Sequence, residues 1–257
     1  QEFLDLQVLW FLFQFSPSYI TGEYDLEHFD QRLVDLFNQN GNYTRDDLEY
    51  VLDSQHERLA DVLPMYSSLE ERGQIELTTT PYYHPIMPLL MMDGWTFEDG
   101  IYVAKESWPE DVEMHLNKGV SLFEQHTGVV PSGMWPSEQA VSPAMVQPVS
   151  NVGIEWMVSD EMILEQSIDV NGLNPNVEDP RVLFTPWKVS GDDGGEVSVI
   201  FRDRVISDRI AFEYGSMEPV DAVDDFLGYM DNVRQELLDI GEDPSEHLIT
   251  VALDGEN

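Results

Sequence analysis

Apolar positions along this chain follow two periods, and segments of each kind alternate. Over residues 23–40, Leu26, Phe29, Leu33, Leu36 and Phe37 fall at helical spacing, and Gly41 supplies a stop. Residues 44–72 open with the cap sequence Thr44-x-x-Asp47 and carry Leu48, Val51, Leu52, Leu59, Val62 and Leu63 on one side. Pro64 is expected to bend or interrupt that helix, because its ring removes a backbone donor. Further helices are predicted over 109–128, over 142–153 and over 219–240, where Val223, Phe226, Leu227, Met230, Val233 and Leu237 form the apolar face. Between them lie short apolar runs at 75–80 (IELTTT), 134–135, 154–159 (IEWMVS), 197–201 (VSVIF) and 248–253 (LITVAL). Continuously apolar strands separated by helices describe a parallel sheet covered by helices. The predicted class is α/β, and no repeat or low-complexity linker divides residues 1–257, so a single domain is expected.

Charge adds a second layer. The 257 residues contain 50 Asp and Glu against 12 Lys and Arg, a net charge of −38, yet 42% are hydrophobic. That apolar content supports a folded core, where charge alone would suggest disorder. So acidic a surface repels phosphates and anionic head groups, which argues against nucleic-acid and membrane partners. Only Lys105, Lys118 and Lys188 are lysines, and the acids run along the whole chain. This pattern resembles proteins of salt-in halophiles, in which molar salt screens the repulsion, and it implies a cytoplasmic location. No cysteine is present, which excludes disulfides, thiol catalysis and Cys-bound metals. The six histidines show neither HxxxH nor HxH spacing, so no metal site is expected. Residues 191–195 (GDDGG) read as a hairpin loop, with calcium binding as the lesser alternative.

In a parallel sheet the chemistry gathers where strands end. The predicted strands exit into Tyr82-Tyr83-His84, into Trp135-Pro136-Ser137-Glu138, into Asp160-Glu161, into Arg202-Asp203 and into Asp254. Carboxylates beside aromatics, with Trp187 and Trp108 nearby, suit a sugar, whose rings stack on aromatic faces while its hydroxyls bond to carboxylates. Plain alternatives stand at each position. Glu138 could be an acid at the start of the helix beginning at Ser142-Pro143, Asp254 a turn residue before Gly255, and His84 a capped loop histidine.

The run 73–90 (GQIELTTTPYYHPIMPLL) resembles the second signature of glycoside hydrolase family 57, in its alpha-amylase/alpha-mannosidase-like or amylopullulanase-like branch. Residues 133–138 (GMWPSE) resemble the third signature and 251–257 (VALDGEN) the fourth, while 156–161, 201–203 and 5–8 also read like that branch. The resemblance implies an incomplete (β/α)7 barrel and a retaining α-glucan hydrolase that needs no cofactor. It implies Glu138 as nucleophile and Asp254 as acid/base, with His84, Tyr83, Trp135, Asp160, Glu161, Trp187, Arg202 and Asp203 as substrate contacts. Within the same resemblance, a 4-alpha-glucanotransferase or branching enzyme is an alternative; a non-catalytic carbohydrate-binding remnant is another. The first and fifth signatures fall outside residues 1–257, so the chain is expected to be a catalytic domain truncated at both ends.

The charge leads to a first test. At about 1 M salt the Debye length falls to about 3 Å, so the melting temperature should rise steeply between dilute buffer and molar KCl. An unchanged melting temperature would remove the halophile reading.

Overall fold

The structure, a computed structural model, describes residues 1–17, 20, 30–91, 95–96, 102–103, 107–170, 176–191 and 194–254. The chain forms two compact units, Gln1–Ile75 and Glu76–Asn257.

In the first unit, α1 (Glu2–Leu12), α2 (Gln31–Gln39) and α3 (Arg45–Glu71) enclose a core of Val8, Leu12, Leu33, Leu36, Tyr43 and Val51. The α2 helix is the C-terminal part of the predicted 23–40 segment, and residues 23–29 lie outside the described residues. Asp30 starts α2 by accepting the N–H groups of Arg32 and Leu33 at 2.9 and 3.3 Å. Thr44 and Asp47 cap α3 reciprocally, as their spacing predicts. The Asp47 N–H donates to Thr44 Oγ1 at 3.2 Å, and the Thr44 N–H donates to the Asp47 carboxylate at 2.9 Å.

Two features of this unit go beyond the sequence reading. First, Pro64 does not interrupt α3, which continues through it to Glu71. Residues 60–66 are exposed there, so the carbonyl that loses its donor is free to take one from water. Second, Leu59 and Leu63 are 69% and 46% exposed, so the apolar side of α3 is not buried along its length. The 11 residues of α1 span about 16 Å while the 27 of α3 span about 40 Å, which leaves the second half of α3 overhanging. The α1 helix itself escaped the periodicity reading because its sequence (EFLDLQVLWFL) is apolar on nearly every side.

The second unit contains a short helix, α4 (Met87–Leu90), and an antiparallel pair, β1 (Trp95–Thr96) and β2 (Tyr102–Val103). After these come α5 (Pro109–Thr127), β3 (Gly133–Met134), α6 (Pro143–Asn151), β4 (Trp156–Asp160) and α7 (Glu161–Val170). The chain continues through α8 (Pro180–Leu183), β5 (Trp187–Ser190), β6 (Glu196–Arg202), α9 (Arg204–Asp208) and α10 (Pro219–Asp239). The sheet order is β3-β4-β6-β5; β3, β4 and β6 are parallel and β5 is antiparallel. This is the α/β architecture that the alternating pattern predicts. Met134, Met157, Val199, Leu116, Val149 and Leu237 belong to one buried core between sheet and helices. Between β5 and β6 the Gly191 N–H donates to the Gly195 carbonyl at 2.7 Å. Asp192 and Asp193, the acids of the calcium alternative, lie outside the described residues. Among the described residues no helix is long and apolar enough to cross a membrane.

The two outermost predicted strands shrink to single parallel bridges, Thr79↔Met134 and Arg202↔Thr250. At the first, the Thr79 N–H donates to the Gly133 carbonyl and the Trp135 N–H to the Thr79 carbonyl, and the next donor along the 75–80 segment would be Pro81, which has no N–H. At the second, β5 already occupies the free edge of β6 as far as Val199, so residues 248–253 can pair only beyond it.

Gly133 gives this part of the fold a sharp test. A Cβ there would sit 2.4 Å from the Trp156 indole and 2.8 Å from Thr78 Cγ2. The indole cannot swing aside freely, because its Nε1–H donates to the Glu76 carboxylate at 2.8 Å. Gly133→Ala is therefore expected to cost about 1–3 kcal/mol in denaturant unfolding, the usual penalty of overpacking. Wild-type stability in this variant would mean that the β3–β4 contact is looser than described.

Candidate active site

The parallel bridges fix where the candidate residues lie. Thr79, Met134, Met157 and Val199 are in register across the sheet, as are Asp160, Arg202 and Thr250. Every segment that continues past these rows leaves by the same edge. The exits into His84, Glu138, Asp160-Glu161, Arg202-Asp203 and Asp254 therefore share one rim of the second unit.

Two of those exits are built alike. Pro81 opens a turn in which the His84 N–H donates to the Pro81 carbonyl at 2.8 Å, and Pro136 opens one in which the Gln139 N–H donates to the Pro136 carbonyl at 2.8 Å. In each turn the last two residues have positive φ: Tyr83 (62°) and His84 (51°), Glu138 (55°) and Gln139 (56°). The only other non-glycine residues of this kind among the described residues are Asn40 and Asn42, and asparagine tolerates the left-handed region well. For tyrosine, histidine, glutamate and glutamine it costs about 1–2 kcal/mol each. Strain of this sort collects at functional sites, where the side chain delivered outweighs the backbone cost.

The two turns also meet. His84 Nε2 lies 4.0 Å from Glu138 Oε1, and His84 Nδ1 lies 3.0 Å from Thr80 Oγ1. When the Thr80 hydroxyl donates to Nδ1, the ring proton sits on Nε2 and faces the carboxylate. Ser159, fully buried at the end of β4, donates to the Gln139 carbonyl at 2.8 Å and ties the Glu138 turn to the sheet. Trp135 is half-buried three residues before Glu138, and its N–H donates to the Thr79 carbonyl at 2.8 Å. Tyr83 stands 82% exposed.

Arg202 organises the other end of the rim. Its guanidinium donates to Asp160 Oδ2 at 3.3 Å, to Asp208, and to the Ala252 carbonyl at 2.9 Å. That last contact holds the chain two residues before Asp254, which is exposed. The Ala252 N–H donates in turn to the buried Ser207 hydroxyl at 3.2 Å. Asp160 also caps α7 through the Met162 N–H at 2.9 Å. Asp203 is fully buried: one oxygen caps α9 through the Ile206 N–H at 3.3 Å, and the other accepts from the Tyr229 hydroxyl. Burial, followed by that bond to Asp203, pushes the Tyr229 phenol above its usual range. Trp187 is half-buried on β5, where its Nε1–H donates to the Val182 carbonyl at 3.0 Å. The geometry thus gathers His84, Glu138, Tyr83 and Trp135 around one pair of turns, and Asp160, Glu161, Arg202 and Asp203 around the support of the 250–254 segment. Ser159 and Gln139 were not legible as site residues, because their bond joins segments 20 residues apart, and Thr80 gains its role only from the turn that brings His84 back to it. Among the described residues no three His, Asp or Glu side chains are grouped as a metal would require.

Comparison with known proteins bears on the family and the fold. A family model described as "Glycosyl hydrolase family 57" matches residues 5–257, and so runs through both units. The chain is 23% identical over 180 residues to an alpha-amylase of Pyrococcus abyssi, covering 70% of this chain and 22% of that protein. It is 24% identical over 200 residues to a 4-alpha-glucanotransferase of Thermococcus kodakarensis, covering 77% of this chain and 25% of that one. The chain therefore spans about a quarter of the length of these relatives. A family 57 branching enzyme of Thermococcus kodakaraensis matches the whole chain with a TM-score of 0.57 at 15% identity, over 52% of its own length. That likeness concerns the fold, which in the family is a (β/α)7 barrel.

Glu161 offers a test of the electrostatics at the rim. Its carboxylate accepts the Arg204 N–H at 3.1 Å, yet burial first, and then Asp203 and Asp160, raise its pKa above the ordinary value of 4.5. A raised carboxyl pKa means that the folded state resists ionising this group, so stability present below pH 4.5 is lost as the pH rises through the folded-state pKa. Glu161→Gln keeps the acceptor without the charge. It should melt higher than wild type at pH 7, with the difference fading as the pH falls below about 4.5. A variant less stable than wild type at pH 7 would show that the charge is paired, not strained.

Proposed function

We propose, since this chain belongs to glycosyl hydrolase family 57, that it is the catalytic part of a retaining enzyme that cleaves α-glucosidic bonds in α-glucans. The observation that carries this reading is the His84–Glu138 pair, held at 4.0 Å by two matched, strained turns at the C-terminal edge of a parallel sheet. Glu138 is the nucleophile. Its carboxylate attacks the anomeric carbon, the bond to the leaving oxygen breaks, and Asp254 delivers the proton that the oxygen needs. Asp254, now ionised, then takes a proton from water, which attacks the same carbon and frees Glu138. Such a pair works with its carboxyl groups about 5–5.5 Å apart. Three strand spacings of about 4.8 Å separate β3 from the Thr250 segment, and four residues beyond each bridge reach up to about 13 Å, so the two exits can converge over the rim.

His84 orients Glu138, and Tyr83 and Trp135 offer aromatic faces to the sugar ring. Arg202 and Asp160 act through the 250–254 segment, with Asp203 and Glu161 beneath them. The reaction needs no cofactor. In this reading residues 1–257 are one catalytic domain of a longer protein, which works in the cytoplasm of a salt-in halophile. A second reading draws on the 4-alpha-glucanotransferase among the relatives: an acceptor sugar replaces water in the second half of the same reaction.

The roles can be separated in the full-length protein assayed in molar KCl. Glu138→Ala should lose activity on both starch and an activated aryl α-glucoside, by at least about a thousandfold given the size of such nucleophile effects. Azide should restore turnover on the aryl substrate and give the glycosyl azide of inverted configuration. Asp254→Ala should still form the covalent intermediate from the aryl substrate and then stall, and azide should give the retained product. Reversed configurations would exchange the two assignments. Near-normal activity of both variants on starch would remove the pair altogether.

A further inference from the structure

The described surface is dominated by acids, yet one shallow groove of about 330 Å³ has no carboxylate among its described lining residues. It is formed by Tyr82 together with Asn117, Lys118, Ser121, Leu122 and Gln125 of α5. The volume is at the small end of ligand pockets. Residues 118, 121, 122 and 125 follow the i, i+3, i+4, i+7 rule, so they line one face of the helix over about 10 Å. Two amides, a hydroxyl, an ammonium and a phenol beside an apolar side chain make a surface for a neutral, hydroxyl-rich ligand. A cation would find no counter-charge there. An anion would have to approach through the field of a chain that carries −38.

The groove is fixed to the catalytic rim. The Tyr82 N–H donates to the His115 carbonyl at 3.1 Å, and the His115 ring bonds back to the Tyr82 carbonyl. Gly119 lets α5 come close enough for this, since a Cβ there would lie 2.7 Å from the Thr80 carbonyl and 3.2 Å from the Tyr82 nitrogen. The Lys118 ammonium sits 5.6 Å from the centre of the Tyr82 ring, and the Tyr83 ring is centred 4.3 Å from that of Tyr82. Tyr83 leads directly to His84, and His84 to Glu138. A row of aromatic and neutral polar groups thus runs from the α5 face to the proposed nucleophile.

We propose that this groove is a remote subsite for the same α-glucan chain, holding glucose residues several units away from the bond at Glu138. Tyr82 supplies the stacking face, while Asn117, Ser121, Gln125 and Lys118 bond to sugar hydroxyls. This inference rests on the α-glucan reading of the preceding subsection. Its consequence is a preference for long chains over short ones, because a short oligosaccharide that fills the rim does not reach α5.

Titration calorimetry of the full-length protein in molar KCl, with maltotriose and maltoheptaose as probes, tests it. Wild type should bind maltoheptaose more tightly than maltotriose. Tyr82→Ala should weaken maltoheptaose about tenfold, or about 1.4 kcal/mol, and leave maltotriose unchanged. Gln125→Ala, on the exposed face of α5, should give a smaller loss with the same selectivity, and it keeps the test intact if the Tyr82 variant fails to fold. Equal weakening of both sugars, or no weakening of maltoheptaose in either variant, would overturn the groove and leave the catalytic reading standing. A wild-type chain that binds neither sugar would defeat the α-glucan reading itself, and the groove with it.

Discussion

Five consecutive Cα pairs, from Trp156↔Ser198 to Asp160↔Arg202, set β4 and β6 side by side in one direction, and the functional placements of the second unit follow from that pairing. Parallel strands need covered crossovers, which is why helices such as α7 and α10 intervene. They also send every chain exit to one edge, so residues as far apart in sequence as His84 and Arg202 share a rim. The pairing of β4 with β6 further decides where the last segment can lie. With β4 on one edge of β6 and β5 on the other as far as Val199, only the residues around Arg202 remain open, and Thr250 takes that place. Arg202 then secures the segment through the Ala252 carbonyl.

The amount of this legible in the sequence followed the physics of each signal. Helices with a one-sided stripe and a clear cap were read nearly to the residue: α5 begins at Pro109 and ends against Gly128, and α6 begins at Pro143. The cap at Thr44 and Asp47 was equally plain, since both partners lie within one turn. What failed was information that belongs to other segments. The strand character of IELTTT and LITVAL is real in composition, but ladder length depends on free donors and open edges, and Pro81 and β5 set that limit. The positive φ of Tyr83 and Glu138 has no sequence mark, because glycine or asparagine usually signals such positions and neither is present there. The short motifs supplied the candidate residues; the left-handed turns that present them closed on local bonds with no glycine or asparagine to mark them.

Acidity in this chain is also put to structural use. Asp30, Asp179, Asp203 and Asp243 each accept a backbone N–H at a helix start, and Asp47 completes the capping box of α3. Free N–H groups and the helix dipole favour a negative charge at those positions. The carboxyls of Asp47, Asp179 and Asp243 are accordingly held below the usual range, by the Thr44 N–H, by Arg181 and by the Ser245 N–H. The stabilisation they give is present above the ordinary carboxylate value and is lost as the pH falls through the lowered one. Part of the carboxylate load therefore organises helices even as the whole strains the fold.

The two proline-led turns bear on how this chain would drift. Tyr83, His84, Glu138 and Gln139 sit where glycine would relieve the backbone, and each such exchange is a single substitution that stabilises the fold. A lineage that no longer used these loops would gain by accepting those changes, since most other mutations cost stability. Four side chains kept in the left-handed region at about 1–2 kcal/mol each are therefore a standing cost in stability, and the two turns are where this fold has most to gain from glycine.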